Sequence, residues 1–190
     1  MKALFATVET VLVADTPETF VSRRVDRVLL DMAGVPGDRH YGLTRLSGAR
    51  EPMYPRGTEI RNRRQLSLVS VEECHQIAQA LGLDVVLPEW LGANLLISGF
   101  SHLTQLSTGS RLLLPSGVGL VCEGENLPCR HPGDVLQKLF PKQPNLARRF
   151  VSIAQGKRGI VCSVECPGAI AAGDSVRLLV ESPAFAAQAV

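Results

Sequence analysis

Lysine, aromatic rings and long hydrocarbon runs are all scarce in this chain of 190 residues. No apolar stretch reaches the roughly 18 residues that a helix needs to cross a bilayer, so no helical span is expected. Aromatic residues make up 5% of the chain and the net charge is only +2, too little overall basicity to advertise nucleic-acid binding. Glycine loops of the dinucleotide or P-loop kind are absent, as is the Gly-x-Ser-x-Gly elbow, which removes the commonest nucleotide-binding and hydrolase readings. The opening "MKALFATVETVLVADTPE" is interrupted by Glu9 and threonines and has no small-residue cleavage site, so it reads as a strand rather than a signal peptide. Five cysteines, an odd number, then point to reduced thiols and a cytoplasmic setting rather than a disulfide framework.

What is present begins with arginine. Of 20 basic side chains, 16 are arginine and 4 are lysine. Seven fall in one segment: Arg39, Arg45, Arg50, Arg56, Arg61, Arg63 and Arg64, opposed there only by Asp38, Glu51 and Glu59. The guanidinium fork grips a carboxylate or phosphate through two parallel hydrogen bonds. Any one of these arginines can be a solvated or locally paired surface charge, but the cluster points to a small anion site.

The dominant hydrophobic period is two, which predicts strands over 3–14, 23–32, 64–70, 94–99, 110–115, 119–124, 159–166 and 174–181. "LLLPSGVGLVC" reads as a hairpin. Helices are few. Ser70 with Glu73 forms a capping-box pattern ahead of Ile77, Ala80 and Leu81, with Gly82 as a stop. Helical spacing recurs at 133–140 and 145–156, and 42–62 reads as a long loop without period. Many short strands without regular strand–helix alternation predict a mainly β fold, a closed or nearly closed barrel with a few short helices in one domain.

Among the cysteines, Cys74, Cys122, Cys162 and Cys166 sit where small hydrophobes or turns explain them. Cys129 differs. It lies in "GENLPCRHPGD", next to Arg130, close to His131 and ahead of a helix start at Pro132-Gly133-Asp134. Cationic neighbours and a helix N-terminus favour the thiolate, the form that attacks electrophiles, carries sulfur or binds a soft metal. Zinc is a weaker reading. The spacings C-x6-C-x-H and C-x3-C are not those of structural zinc knuckles, and Cys162 and Cys166 on one strand face would stand roughly 13 Å apart. In "GVPGDRHYG", Pro36-Gly37 fits a type II turn, after which Asp38, Arg39 and His40 emerge together, suited to holding an anion or moving a proton. In "WLGANLLISG", Asn94 can serve a turn or present its amide to a ligand at a barrel rim.

The pieces "GVPGDRHYG", "RNRRQLSLVSVEE", "LGANLLISG", "NLPCRHP" and "RGIVCSVECPGAIAAGDSV", in this order, resemble the MOSC domain, named for the C-terminal domain of molybdenum-cofactor sulfurases. The match runs from about Gly34 to Val180 of the single domain expected over 1–190. The resemblance implies a strand-rich barrel and one functional cysteine, which aligns with Cys129. In the family's molybdenum enzymes, which reduce N-hydroxylated compounds, that cysteine ligates the metal. In sulfurase relatives the domain binds cofactor or receives sulfur as a persulfide. Asn94 and Arg64-Gln65 match family positions. This chain departs at Gly92-Ala93-Asn94-Leu95, where many members read Gly-Glu-Asn-Leu, and it is expected to lack the separate N-terminal barrel of the mitochondrial reductases.

Three readings follow. In the first, a pyranopterin molybdenum cofactor is bound through Cys129. Its phosphate is held by Arg56, Arg61, Arg63 and Arg64, with Asn94 and Arg130 also in contact. Protons come from His131, His40 or Asp38, and an electron-donor protein serves as partner. In the second, Cys129 is a persulfide carrier, loaded by a cysteine desulfurase and delivering sulfur to a metal-cofactor or metal-sulfur assembly partner. In the third, the arginine loop binds anions without catalysis. All three expect Cys129 to face a cationic hollow at one end of the barrel.

Overall fold

The computed structural model describes residues 2–181; the outermost residues of the expected 1–190 domain lie outside them. Its strands are β1 (Lys2–Val13), β2 (Arg23–Val25), β3 (Arg27–Leu30), β4 (Thr44–Leu46), β5 (Glu59–Arg61), β6 (Leu66–Ser70), β7 (Leu95–Ser98), β8 (Arg111–Leu113), β9 (Gly119–Glu125), β10 (Ile160–Cys166), β11 (Gly168–Ala171) and β12 (Ser175–Val180). The helices are α1 (Val71–Leu81), α2 (Arg130–Leu139) and α3 (Leu146–Ile153). Seven strands run in the order β12-β8-β9-β10-β6-β7-β1, and pairing of β12 with β1 closes the barrel. The strand-rich barrel with few helices is as expected.

Alternation explains how the strands line the core. Leu66 and Leu68 of β6, Ile160 and Cys162 of β10, and Leu95 and Ile97 of β7 point inward with Val8, Val11, Leu112, Leu120 and Leu178. Among the described strands, only β6 and β7 pair in parallel, in register Leu68↔Leu95. Parallel neighbours need a long crossover, and α1 with the 3-10 turn Pro88–Leu91 supplies it. That crossover starts a second layer: Val69 on the outer side of β6 packs with Ile77, Leu81, Leu91, Leu136 and Phe150 from the helices. The capping box forms in part as expected. The Glu73 backbone N–H donates to Ser70 Oγ at 3.1 Å, and Gly82 ends α1 with φ 72°. The Glu73 carboxylate turns instead to Thr104, accepting from its N–H at 2.9 Å and its hydroxyl at 2.8 Å.

Several segments differ from the sequence expectation. The run 23–32 is two strands, not one: β2 pairs with β1, whereas β3 pairs with β11 in a separate small sheet. The long loop 42–62 contains the hairpin of β4 and β5, too short and too polar for periodicity to reveal. Cys162 and Cys166 do not share a face. A register shift between Val164 and Cys166 leaves Cys162 buried and Cys166 exposed. The β8–β9 hairpin and the Pro36-Gly37 turn form as read, the latter with Gly37 at φ 84° and the Asp38 N–H donating to Val35 O at 3.0 Å. No described helix is long and apolar enough to cross a membrane.

Candidate functional site: a cationic hollow beside Cys129

β9 ends at Glu125 and the chain then turns through Asn126-Leu127-Pro128 to Cys129, the N-cap residue of α2. The Cys129 side chain makes no capping hydrogen bond and is partly exposed. Its Sγ lies 4.0 Å from His131 Nδ1, and the thiol borders a hollow of about 190 Å³. The expected position at one end of the barrel needs correction. Ser67 and Val161, cross-strand partners in β6 and β10, line the hollow. Both alternate with the inward-facing Leu66, Leu68, Ile160 and Cys162. The hollow therefore lies on the outer wall of the barrel, roofed by the start of α2.

Four arginines line it, graded by depth: Arg39 and Arg50 are exposed, Arg64 is half-buried, and Arg158 is 6% exposed. No carboxylate is among the lining residues. Arg50 reaches across from the β4–β5 connection and donates to Leu127 O at 3.0 Å, so the arginine segment does fold toward Cys129. Arg64 donates to Asn126 Oδ1 at 2.7 Å, and Asn126 Nδ2 donates to Ser67 Oγ at 3.0 Å. Burial pulls the Arg64 guanidinium down to about 10, helped by the nearby charges of Arg50 and Arg45. Burial does the same to Arg158, also to about 10, while Cys129 opposes the shift. Both therefore remain cationic at neutral pH. Arg158 Nη2 donates to Leu91 O, whereas its Nη1 is buried without a partner.

Arg158 is positioned by its neighbour. Gly159 has φ 84°, and a Cβ there would stand 1.9 Å from Leu68 O, so only glycine lets β10 start this close to β6. Its N–H donates to Thr104 Oγ1 at 2.7 Å, the same hydroxyl that donates to Glu73. A buried chain of hydrogen bonds thus anchors the arginine's backbone to α1.

Asp38 and His40 form a second arrangement. The carboxylate accepts from Ala14 N and Asn94 Nδ2 at 2.8 Å each, and from His40 N and Nδ1 at 2.9 Å each. Burial pushes the Asp38 carboxyl up, but the hydrogen bonds from His40 and from the Ala14 backbone outweigh it and hold the group below the usual carboxylate range. Asp38 is buried and does not line the hollow; it holds the imidazole of His40, which does.

Other expected site residues are placed elsewhere. Asn94, read as a rim amide, is 1% exposed. Its Oδ1 accepts from Ser67 N at 2.9 Å and its Nδ2 is spent on Asp38. It ties strands together and has nothing left to offer a ligand. Arg61 and Arg63 face a neighbouring depression with Glu123 and Glu125, and Arg63 pairs with Glu123 at 3.1 Å. Arg56 is exposed in the turn before β5 and outside the hollow. Arg130 pairs with Asp134 at 3.2 Å on the exposed side of α2. The hollow thus gathers Cys129, His131, His40 and Arg64 of the expected set. It adds Arg158, Asn126 and Ser67, which lie inside the quoted matching pieces yet carry no local signal of their own.

The residues do not fit a whole pyranopterin cofactor as an enclosed ligand. About 190 Å³ is well below the roughly 300 Å³ at which pockets for larger ligands begin. Three of the four arginines expected on its phosphate, Arg56, Arg61 and Arg63, are outside the hollow. A small anion fits both its volume and its charge.

Comparisons with known proteins agree with this architecture. The model of the MOSC domain matches residues 37–177. A protein of Bacillus subtilis (strain 168) named "Putative metal-sulfur cluster biosynthesis proteins YuaD" is 53% identical over 177 residues, 93% of this chain and 92% of that one. The crystal structure of YuaD from Bacillus subtilis superimposes with a TM-score of 0.93 at 52% identity, covering 95% of this chain and 99% of that chain. YiiM from Geobacillus stearothermophilus shares the fold alone, with a TM-score of 0.59 at 14% identity over 96% of this chain and 78% of that chain. With these matches over most of its length, the chain belongs to the MOSC domain family.

Proposed function

We propose that the protein is a sulfur carrier: Cys129 accepts sulfane sulfur as a persulfide and passes it to a partner that assembles a metal-sulfur centre or sulfurates a metal cofactor. One observation carries the reading. The partly exposed Cys129 borders a cationic hollow without carboxylates, whose deepest guanidinium has no ion pair among the described residues. Anionic sulfur species are what such a place stabilises. The relative named for metal-sulfur cluster biosynthesis, at 53% identity, supports the same assignment.

The loading step balances without an external oxidant. The Cys129 thiolate attacks the terminal sulfur of a donor persulfide, the new S–S bond forms at Cys129, and the donor cysteine leaves as thiolate with the electron pair. His131, 4.0 Å from Sγ, is placed to hold or move the thiol proton. The Arg64 and Arg158 guanidinium groups balance the charge of the resulting perthiolate.

Incubation with a cysteine desulfurase and cysteine labelled in sulfur tests the reading. Label should appear on Cys129, disappear in Cys129→Ser and persist in Cys166→Ser. Absence of label on Cys129 after thiol trapping overturns the proposal. Stoichiometric molybdenum and pterin in freshly isolated protein would instead favour reduction of N-hydroxylated substrates at a Cys129-bound metal, against the volume argument above.

A further inference from the structure

We propose that the hollow beside Cys129 takes a small sulfane-sulfur oxyanion, of which thiosulfate is the simplest, as a direct sulfur donor, making the chain itself a thiosulfate sulfurtransferase. The inference rests on the sulfur-carrier reading and names a substrate class for it.

Three features of the hollow select such a ligand. The first is size. About 190 Å³ is enough for a five-atom dianion and well below the roughly 300 Å³ at which pockets for larger ligands begin. The second is charge. Arg39 and Arg50 stand at the exposed rim, where they steer an anion inward, and Arg64 and Arg158 wait inside with no opposing carboxylate in the lining. The third is an uncompensated charge. Arg158 lines the hollow, is more than nine-tenths buried, and has no ion pair among the described residues. A buried, unpaired cation is destabilising unless an anion joins it. The residue is nonetheless held in place through Leu91 O and the glycine beside it. Sulfonate-type oxygens, each able to accept several N–H groups, match this need.

The transfer is balanced. The Cys129 thiolate attacks the sulfane sulfur, a Cys129–sulfur bond forms, and the bond from that sulfur to the sulfonate group breaks. Sulfite departs with the electron pair, and the persulfide is left as its anion. The charge is the same on both sides, and no oxidant, reductant or proton is required. The cationic hollow favours both the incoming dianion and the leaving sulfite.

The experiment mixes the reduced protein with thiosulfate labelled at the sulfane position. It follows sulfite release and, by mass spectrometry, the gain of one sulfur atom on Cys129. Loading of Cys129 with matching sulfite release is the expected result. It should be abolished in Cys129→Ser and slowed at least tenfold in Arg64→Gln, and in Arg50→Gln, whose exposed side chain can be replaced without disturbing the core. Equal loading rates in wild type and both arginine variants would overturn the assignment of the hollow as the anion subsite. If wild-type protein is loaded by a desulfurase persulfide but not by thiosulfate, this inference fails and the sulfur-carrier function stands. If neither donor loads Cys129, both fall.

Discussion

Replacing Asp38 by asparagine removes one oxygen acceptor from a buried hub and inserts an amide in its place. In the native protein two donors converge on each carboxylate oxygen, all four at 2.8–2.9 Å. Asparagine keeps one acceptor. Its NH2 group is best placed toward His40, whose Nδ1 can then accept as the other tautomer, so one donor, the His40 N–H, is left facing an NH2 group. Losing one hydrogen bond to a charged group costs about 1.5–3 kcal/mol. The other bonds weaken because their acceptor is now neutral, and relief of the charge's desolvation offsets this in part, leaving about 2 kcal/mol. With a urea slope of roughly 2 kcal/mol/M, the midpoint should fall by about 1 M. The single tryptophan, Trp90, sits on the 3-10 turn leading to Asn94 and reports the transition by fluorescence. A midpoint shift below about 0.5 M, near 1 kcal/mol on that slope, would refute the idea that this carboxylate holds the site's backbone together. The pH dependence has a definite sign. Because the Asp38 carboxyl lies below its ordinary value of 3.8 in the folded protein, its stabilisation is complete above about pH 4 and is lost as pH falls through the folded pKa. The difference between wild type and Asp38→Asn should therefore be flat at neutral pH and shrink in acid.

Other expectations are simpler to state. Iodoacetamide at pH 8 should modify Cys129 and Cys166 in the folded protein and spare the other three cysteines until urea unfolds it. Burial pushes the Cys74 thiol up to about 12, Cys122 to about 11 and Cys162 well above the ordinary range; peptide mapping reads the outcome. Gly159→Ala should lower stability by at least ~3 kcal/mol, since its Cβ meets Leu68 O at 1.9 Å, whereas Gly57→Ala, with open space around it, should cost only about 1 kcal/mol of left-handed backbone strain. Arg158→Met should raise the urea midpoint, by about 1 kcal/mol in stability, while reducing sulfur loading from thiosulfate. Removing a buried unpaired charge stabilises, and a site kept for binding opposes that. A variant less stable than wild type would mean that the Leu91 contact outweighs the buried charge.

The sequence carried most of the barrel because alternation is a local property. β1, β6, β9, β10 and β12 each show an apolar period of two over several residues, and Ser70 and Gly82 mark the ends of α1 through chemistry confined to one turn. The misses share a cause. β4, β5 and β11 have three or four residues each, too few to establish a period. The break at Asp26 between β2 and β3 reflects which neighbour each half finds, not any break in composition. For the site, Cys129 stood out by its neighbours in the chain. Counting arginines along 39–64 pointed to a cationic cluster, of which Arg39, Arg50 and Arg64 line the hollow, but it overcounted. Arg45, drawn to Glu51, and Arg63, drawn to Glu123, are paired off.

From the amino-acid order alone came the barrel class, the capped helix, the turn at Pro36-Gly37 and the choice of Cys129, because each follows from side chains within a few positions of one another. Tertiary structure alone decided which charges surround that thiol. Arg158 stands 29 positions beyond Cys129 and 94 beyond Arg64 in the chain. It reaches the same hollow only because β10 pairs with both β6 and β9, and because Gly159 allows the approach. Burial, which left its Nη1 without a partner and set Asn94 to work inside the protein, depends on the whole packed chain, and no local pattern encodes it.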